Sequence, residues 1–143
     1  MRIFKDNNLM DQENRKIIGL IIWWTEGTKA YKKENGNWVK NVDVTNTNPR
    51  IIMAFLDFLR YNVGVEEKRL RVQLQIHEGD NQEDLESFWS VTTHIPRKQF
   101  TKTIIRPRGN KIGKNRGTCK VRYSDKLIYE KIERKLKEVL NKT

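Results

Sequence analysis

Glu26 is the residue best placed to do chemistry. It closes the run Gly19-Leu20-Ile21-Ile22-Trp23-Trp24-Thr25-Glu26, directly before Gly27. If the run is helical, the carboxylate sits at its C-terminal tip. Two copies of such a helix packed side by side would bring two Glu26 carboxylates together near a two-fold axis. Clustered carboxylates are costly unless a cation lies between them. Hard oxygen ligands of this kind suit Mg²⁺, which also contacts phosphate. The plainer alternative is a lone carboxylate solvated at the end of a core helix.

A second group of residues points to a polyanion. From Arg97 to Arg122 the basic residues are Arg97, Lys98, Lys102, Arg106, Arg108, Lys111, Lys114, Arg116, Lys120 and Arg122, and no Asp or Glu interrupts them. Gly109, Gly113 and Gly117 lie among them. Spaced cations with glycines suit a loop that follows a phosphate backbone. Upstream, Leu70, Val72, Leu74 and Ile76 alternate with Arg69, Arg71, Gln73, Gln75 and His77. That is a strand with one apolar and one polar face. Cys119, Val121 and Tyr123 alternate with Thr118, Lys120 and Arg122 in the same way. Arg and Gln are the side chains that pair with guanine and adenine edges in the major groove.

The rest of the chain must position these groups. It has 143 residues, with 29 Lys+Arg against 18 Asp+Glu and a formal charge of +11. That length suits one domain, 1–143, with 1–14 as a polar, flexible leader. The leader mixes Lys5 with Asp6, Asp11 and Glu13, which is not the pattern of a signal peptide. No apolar run reaches the roughly 18 residues of a membrane span. Cys119, His77 and His94 cannot assemble a zinc site or an intrachain disulfide. An intracellular protein with a polyanionic partner is expected.

The periodicity predicts a helix after Asp11 or Asn14 that stops at Gly27, then strands 28–34 and 38–46 around Asn35-Gly36-Asn37. Asn48-Pro49 opens a second helix that ends near Gly64. The strand 69–77 follows, then a helix capped by Asp80 and Glu83. Strands 101–106 and 118–123 read as a hairpin, and Ser124 caps the last helix. The order implies an α+β domain with one antiparallel sheet.

Here the sequence resembles the LAGLIDADG homing-endonuclease family, in its single-motif, prokaryotic-type subgroup. Gly19 to Gly27 spans the nine motif positions, and Glu26-Gly27 match the closing acid and glycine. Thr25 is a small residue in place, and Leu20 and Ile22 fit the apolar pattern. Ile21 stands where the family often has a packing glycine, and Trp24 where the first acid commonly stands. Val42 to Arg50, Phe88-Trp89-Ser90 and Ile95 to Lys102 also look like segments of that subgroup. The likeness covers most of residues 15–140, with one extra helix before the last hairpin.

The resemblance implies an αββαβ(α)ββα domain with one saddle-shaped antiparallel sheet. It implies a homodimer joined through the first helix, with Gly19, Ile22 and Trp23 at the interface. The activity implied is divalent-metal-dependent, site-specific hydrolysis of double-stranded DNA. Glu26 would hold the metal, Lys102 would neutralise developing charge, and Asp43 would be a second polar group near the metal. DNA would be met by Arg69, Arg71, Gln73, Gln75, Arg106, Arg108, Lys111, Lys114, Arg116, Lys120 and Arg122. Two alternatives share the scaffold: a catalytically silent DNA-binding regulator, and an RNA-binding intron-splicing cofactor (maturase).

Overall fold

The apolar run folds as α1 (Leu9–Glu26), beginning earlier than the capping residues Asp11 or Asn14 suggested. The computed structural model describes residues 9–109 and 116–142. One face of α1 is buried. Trp23 stacks on Phe55, with ring centroids 6.3 Å apart, and meets the Tyr129 ring edge-on at 5.3 Å. Its indole Nε1 donates to Glu133 at 2.7 Å, so the buried ring leaves no donor unsatisfied.

Gly19 is buried beside α2 (Pro49–Phe58). A Cβ there would come within 2.1 Å of Phe58 Cγ. The glycine therefore serves the close approach of two helices of one chain. Gly19→Ala is expected to lower stability by about 1–3 kcal/mol through overpacking, read by thermal unfolding. A gain would contradict this packing, because in an unhindered helix alanine is favoured by roughly 1 kcal/mol.

After α1 come two short strands, β1 (Tyr31–Lys32) and β2 (Trp38–Val39), which pair antiparallel as a small separate sheet. The expected long second strand is broken, and its remainder is β3 (Val42–Asn46). Asn48 caps α2 through its side chain, and Pro49 takes the first helical position. The helix ends in a π turn over Leu59–Val63 with Gly64 left-handed at φ 84°. β4 (Arg71–His77) starts two residues later than expected, because Glu67–Arg69 form a 3₁₀ turn.

α3 (Gln82–Thr93) is capped by Asn81, whose side chain accepts from the Asp84 amide. Asp80 does not cap it; that carboxylate accepts from the His77 amide and pairs with Arg108. β5 (Ile104–Arg106), β6 (Thr118–Tyr123) and α4 (Lys126–Asn141) complete the chain. Asp125, not Ser124, caps α4 by accepting from the Ile128 amide.

The α+β class holds, but the sheet is mixed. Its order is β3-β6-β4-β5, with β6 antiparallel to both β3 and β4, and β5 parallel to β4. The expected β5–β6 hairpin is absent among the described residues. α3 is the reason: a helix between β4 and β5 carries the chain back across the sheet, as parallel pairing requires. Val42, Val44, Val72, Leu74, Ile76, Cys119, Val121 and Tyr123 turn their side chains into a core shared with all four helices. Each large apolar side chain buried this way contributes roughly 1.5–3 kcal/mol of transfer free energy. Burial pushes the Cys119 thiol up to about 12, so it is inert packing. Among the described residues, no helix is long and apolar enough to cross a membrane.

Candidate nucleic-acid interface

The opposite face of the sheet is polar, and its register fixes which side chains are neighbours. Asp43, Arg122 and Arg71 form one row across β3, β6 and β4. Thr45, Lys120 and Gln73 form the next, and Thr118 lies beside Gln75 in the third. His77 and Arg106 stand opposite each other at the β4–β5 end. Strand spacing of about 4.8 Å makes this face roughly 14 Å wide between the axes of β3 and β5. Among the described residues of β3, β4 and β6, Asp43 is the only acid on this face.

Arg71 directly opposite Arg122 is an unfavourable like-charge pair in isolation. Each has a local support. Arg71 donates to the carbonyls of Lys68 at 2.7 Å and Leu70 at 2.9 Å. Arg122 donates through Nε to Asp43 Oδ2 at 3.1 Å, with Nη2 at 3.0 Å from the same oxygen. The Arg122 side chain is still 42% exposed. A buried carboxylate thus steers a guanidinium that remains open to a partner. Asp43 itself is 2% exposed, and among the described residues its Oδ1 has no hydrogen-bond partner. Its clearest role is to position Arg122.

The segment bordering β4 extends the face. Phe100 bridges Val72 in parallel, and the Thr101 amide donates to the Val72 carbonyl at 2.8 Å. Gln73 Nε2 donates to the Lys102 carbonyl at 3.1 Å. Thr103 donates to Glu86 at 2.8 Å, and Arg97 clasps both Glu83 and Glu86. Gln82, then Thr103 and Arg97, hold the Glu86 carboxyl below its ordinary value. The helix α3 thus braces the segment that carries Lys102 and leads into β5.

Several expected DNA contacts differ from this arrangement or fall outside it. Arg69 is turned away by the 3₁₀ turn; it stacks on Tyr123 at 4.6 Å and donates to Asp125 at 3.1 Å and the Ser124 carbonyl at 2.6 Å. Arg108 binds the Glu78 carbonyl at 2.9 Å and pairs with Asp80, so it fastens a turn. Arg116 lies over the Phe88 ring at 4.4 Å, while its carbonyl accepts from Trp89 Nε1 at 2.8 Å, on the α3 side of the sheet. Lys111 and Lys114 lie outside the described residues. Arg71, Gln73, Gln75, Arg106, Lys120 and Arg122 remain on the polar face.

No family model, curated protein or solved structure matches this chain.

Glu26 is exposed at the tip of α1, and its Oε1 accepts from Asn46 Nδ2 at 2.6 Å. Gly27 follows because a Cβ there would lie 2.4 Å from the Trp23 ring. The chain then runs onto the sheet, where Gly27 bridges Val44 and the Thr28 amide donates to the Asp43 carbonyl at 3.1 Å. Glu26 therefore stands at the β3 edge of the sheet. A carboxylate oxygen at the negative end of an 18-residue helix is, in kind, a fit for a hard divalent cation. Among the described residues of one chain, no group of three or more His, Cys, Asp and Glu is gathered around a metal position.

Lys102 and the expected interface residues of α1 stand elsewhere than the sequence suggested. Lys102 is at the far edge of the sheet from Glu26: Gly27, Val44, Val121, Val72 and Phe100 form one row, which is four strand spacings, or roughly 19 Å. Within one chain it stands too far from the Glu26 carboxylate to serve it. Gly19, Ile22 and Trp23 pack against their own core rather than facing outward. The outward stripe of α1 is Ile18, Ile21 and Trp24, exposed at 50%, 50% and 52%. Their three-residue spacing is visible in the sequence, but the run is apolar on both sides and gives no sign of which side faces out.

Proposed function

We propose that this chain is a homodimeric, divalent-metal-dependent, site-specific DNA endonuclease on a LAGLIDADG-type scaffold. The observation that carries the reading is the junction at Glu26. There the tip of a helix with an uncovered apolar stripe runs through a glycine into the edge of a cationic sheet. Exposed apolar stripes of this kind mark association surfaces. Two α1 helices meeting through Ile18, Ile21 and Trp24 would set two Glu26 carboxylates at the centre of two joined sheets. Together the sheets would form the saddle over a roughly palindromic duplex, since protein two-fold symmetry is mirrored in its site.

In this reading Glu26 from each protomer would hold Mg²⁺ or a similar ion, with phosphate oxygens supplying further ligands. The chemistry an ion brings to such a site is neutralisation of phosphate charge and acidification of water. The chain's own contribution is orientation. Asn46 restrains one Glu26 oxygen, Asp43 restrains Arg122, and the Gln73–Lys102 hydrogen bond ties the sheet centre to its edge. Arg71, Lys120 and Arg122 would meet phosphates and guanine edges, and Gln73 and Gln75 adenine edges. An uncompensated carboxylate beside DNA weakens a pure binder, so Glu26 favours cleavage over silent binding.

Assembly supplies the test. The parent should sediment as a dimer. Ile21→Asp places a charge in the shared stripe of each protomer, at a cost of at least roughly 2 kcal/mol. It should give a folded monomer that neither dimerises nor cuts. A parent that stays monomeric even on DNA would leave the two carboxylates no way to meet.

A further inference from the structure

The β1–β2 hairpin carries a feature that duplex cleavage does not use. Lys32 lies opposite Trp38, and Tyr31 opposite Val39. Tyr31 is 55% exposed and Trp38 57%. A hairpin this short is marginal on its own, and these two rings do not add to the core. Its base is fastened elsewhere: Lys40 pairs with Glu130 at 2.8 Å, and the Ala30 amide donates to the Tyr129 hydroxyl at 3.0 Å. The turn is closed by the Lys33 amide on the Asn37 carbonyl at 2.8 Å, with Gly36 at φ 88°. The molecule thus holds out one aromatic ring on each face of a supported stem, Trp38 beside Lys32 and Tyr31 beside Val39.

What surrounds the rings identifies the partner. Lys29, Lys32 and Lys33 are exposed, and among the described residues none pairs with an acid. Glu34 is the only acid between Thr28 and Asn41. Lysines around an uncovered indole suit a ligand with both a π-face and negative charge. The chain enters the hairpin from Gly27 and Thr28, which lie along the β3 edge of the sheet. In an intact duplex the base faces are covered by their neighbours. They become available in single strands, loops and ends.

We propose that the β1–β2 hairpin is a stacking platform for an unstacked nucleobase, with Trp38 on the base and Lys32, which shares its face of the hairpin, on a flanking phosphate. The ligand chemistry is shared by an unpaired stretch of DNA and by an RNA loop. This site does not depend on cleavage, and its failure would leave the duplex reading intact.

The test uses the full chain with short oligothymidylate, short oligouridylate and a blunt duplex, followed by tryptophan fluorescence and by anisotropy of labelled strands. The parent should bind the single strands with quenching. Trp38→Ala should weaken that binding about tenfold, the loss of roughly one stacked base. Trp38→Phe should stay within about threefold of the parent, and both variants should bind the duplex as the parent does. Tighter uridylate binding would support an RNA ligand, and tighter thymidylate binding a DNA ligand. The proposal is overturned if the parent ignores both single strands, or if Phe and Ala at this position lose equally. Equal weakening on the duplex overturns it too, as does a change from dimer to monomer in Trp38→Ala.

Discussion

Glu26→Gln is expected to reduce Mg²⁺-dependent strand cleavage by at least about a thousandfold, with duplex binding unchanged or tighter. A metal at a reacting phosphate contributes several kcal/mol, and each 1.36 kcal/mol is roughly tenfold in rate. Glutamine keeps the shape and the acceptor that Asn46 addresses, so the fold should not change. It removes a negative charge that opposes DNA in the absence of metal, hence the tighter binding. Cleavage is to be read in single turnover and binding by anisotropy without metal. A variant that cuts at the parental rate would show that Glu26 is not a ligand.

Lys120→Ala combined with Arg122→Ala is expected to lower duplex affinity by about a thousandfold. Each residue contributes roughly 1–3 kcal/mol if it meets a base edge, and tenfold corresponds to about 1.4 kcal/mol. These two are chosen because β6 is flanked on both sides, by β3 and β4, and lies centrally in the sheet. Gln73→Ala, beside Lys120, should instead alter sequence preference with little change in salt dependence. The double variant should also flatten the salt dependence, its slope falling by roughly one for each phosphate no longer neutralised. Unchanged affinity at low and high salt would remove the polar sheet face from the account.

Much of this arrangement was legible where one residue type has one physical consequence. Asn48-Pro49 is a strong helix start, and the alternation from Leu70 to Ile76 reads as a strand with two unlike faces. The polar partners Lys120 and Arg122 followed from the same alternation on β6. What escaped was set by distant parts of the chain. β5 has three residues, with Ile105 52% exposed, so no periodicity announced its parallel pairing. That pairing depends on the path of α3. Arg69 and Arg108 look like any other cation in the sequence, yet Asp125 and Asp80 hold them in place. Asp125 stays below its ordinary carboxyl value chiefly through the Ile128 amide, with Arg69 adding to the effect.

The site was legible in kind but not in placement. Gly19 is a point of close helix approach, but to Phe58 of the same chain rather than to a second copy. Trp23 and Trp24 are adjacent, equally apolar, and opposite in fate, at 4% and 52% exposure. Only the partners on α2 and α4 decide which turns in. The separation of Lys102 from Glu26 depends on strand order, which the spacing of residues along the chain does not encode.

The most direct test is incubation of the protein with a randomised duplex library and Mg²⁺, with retention and strand scission scored on the same molecules. A dimeric endonuclease should enrich roughly palindromic sequences and cut them at fixed positions about the dyad. Sequences retained without scission, or a library neither retained nor cut, would contradict that reading.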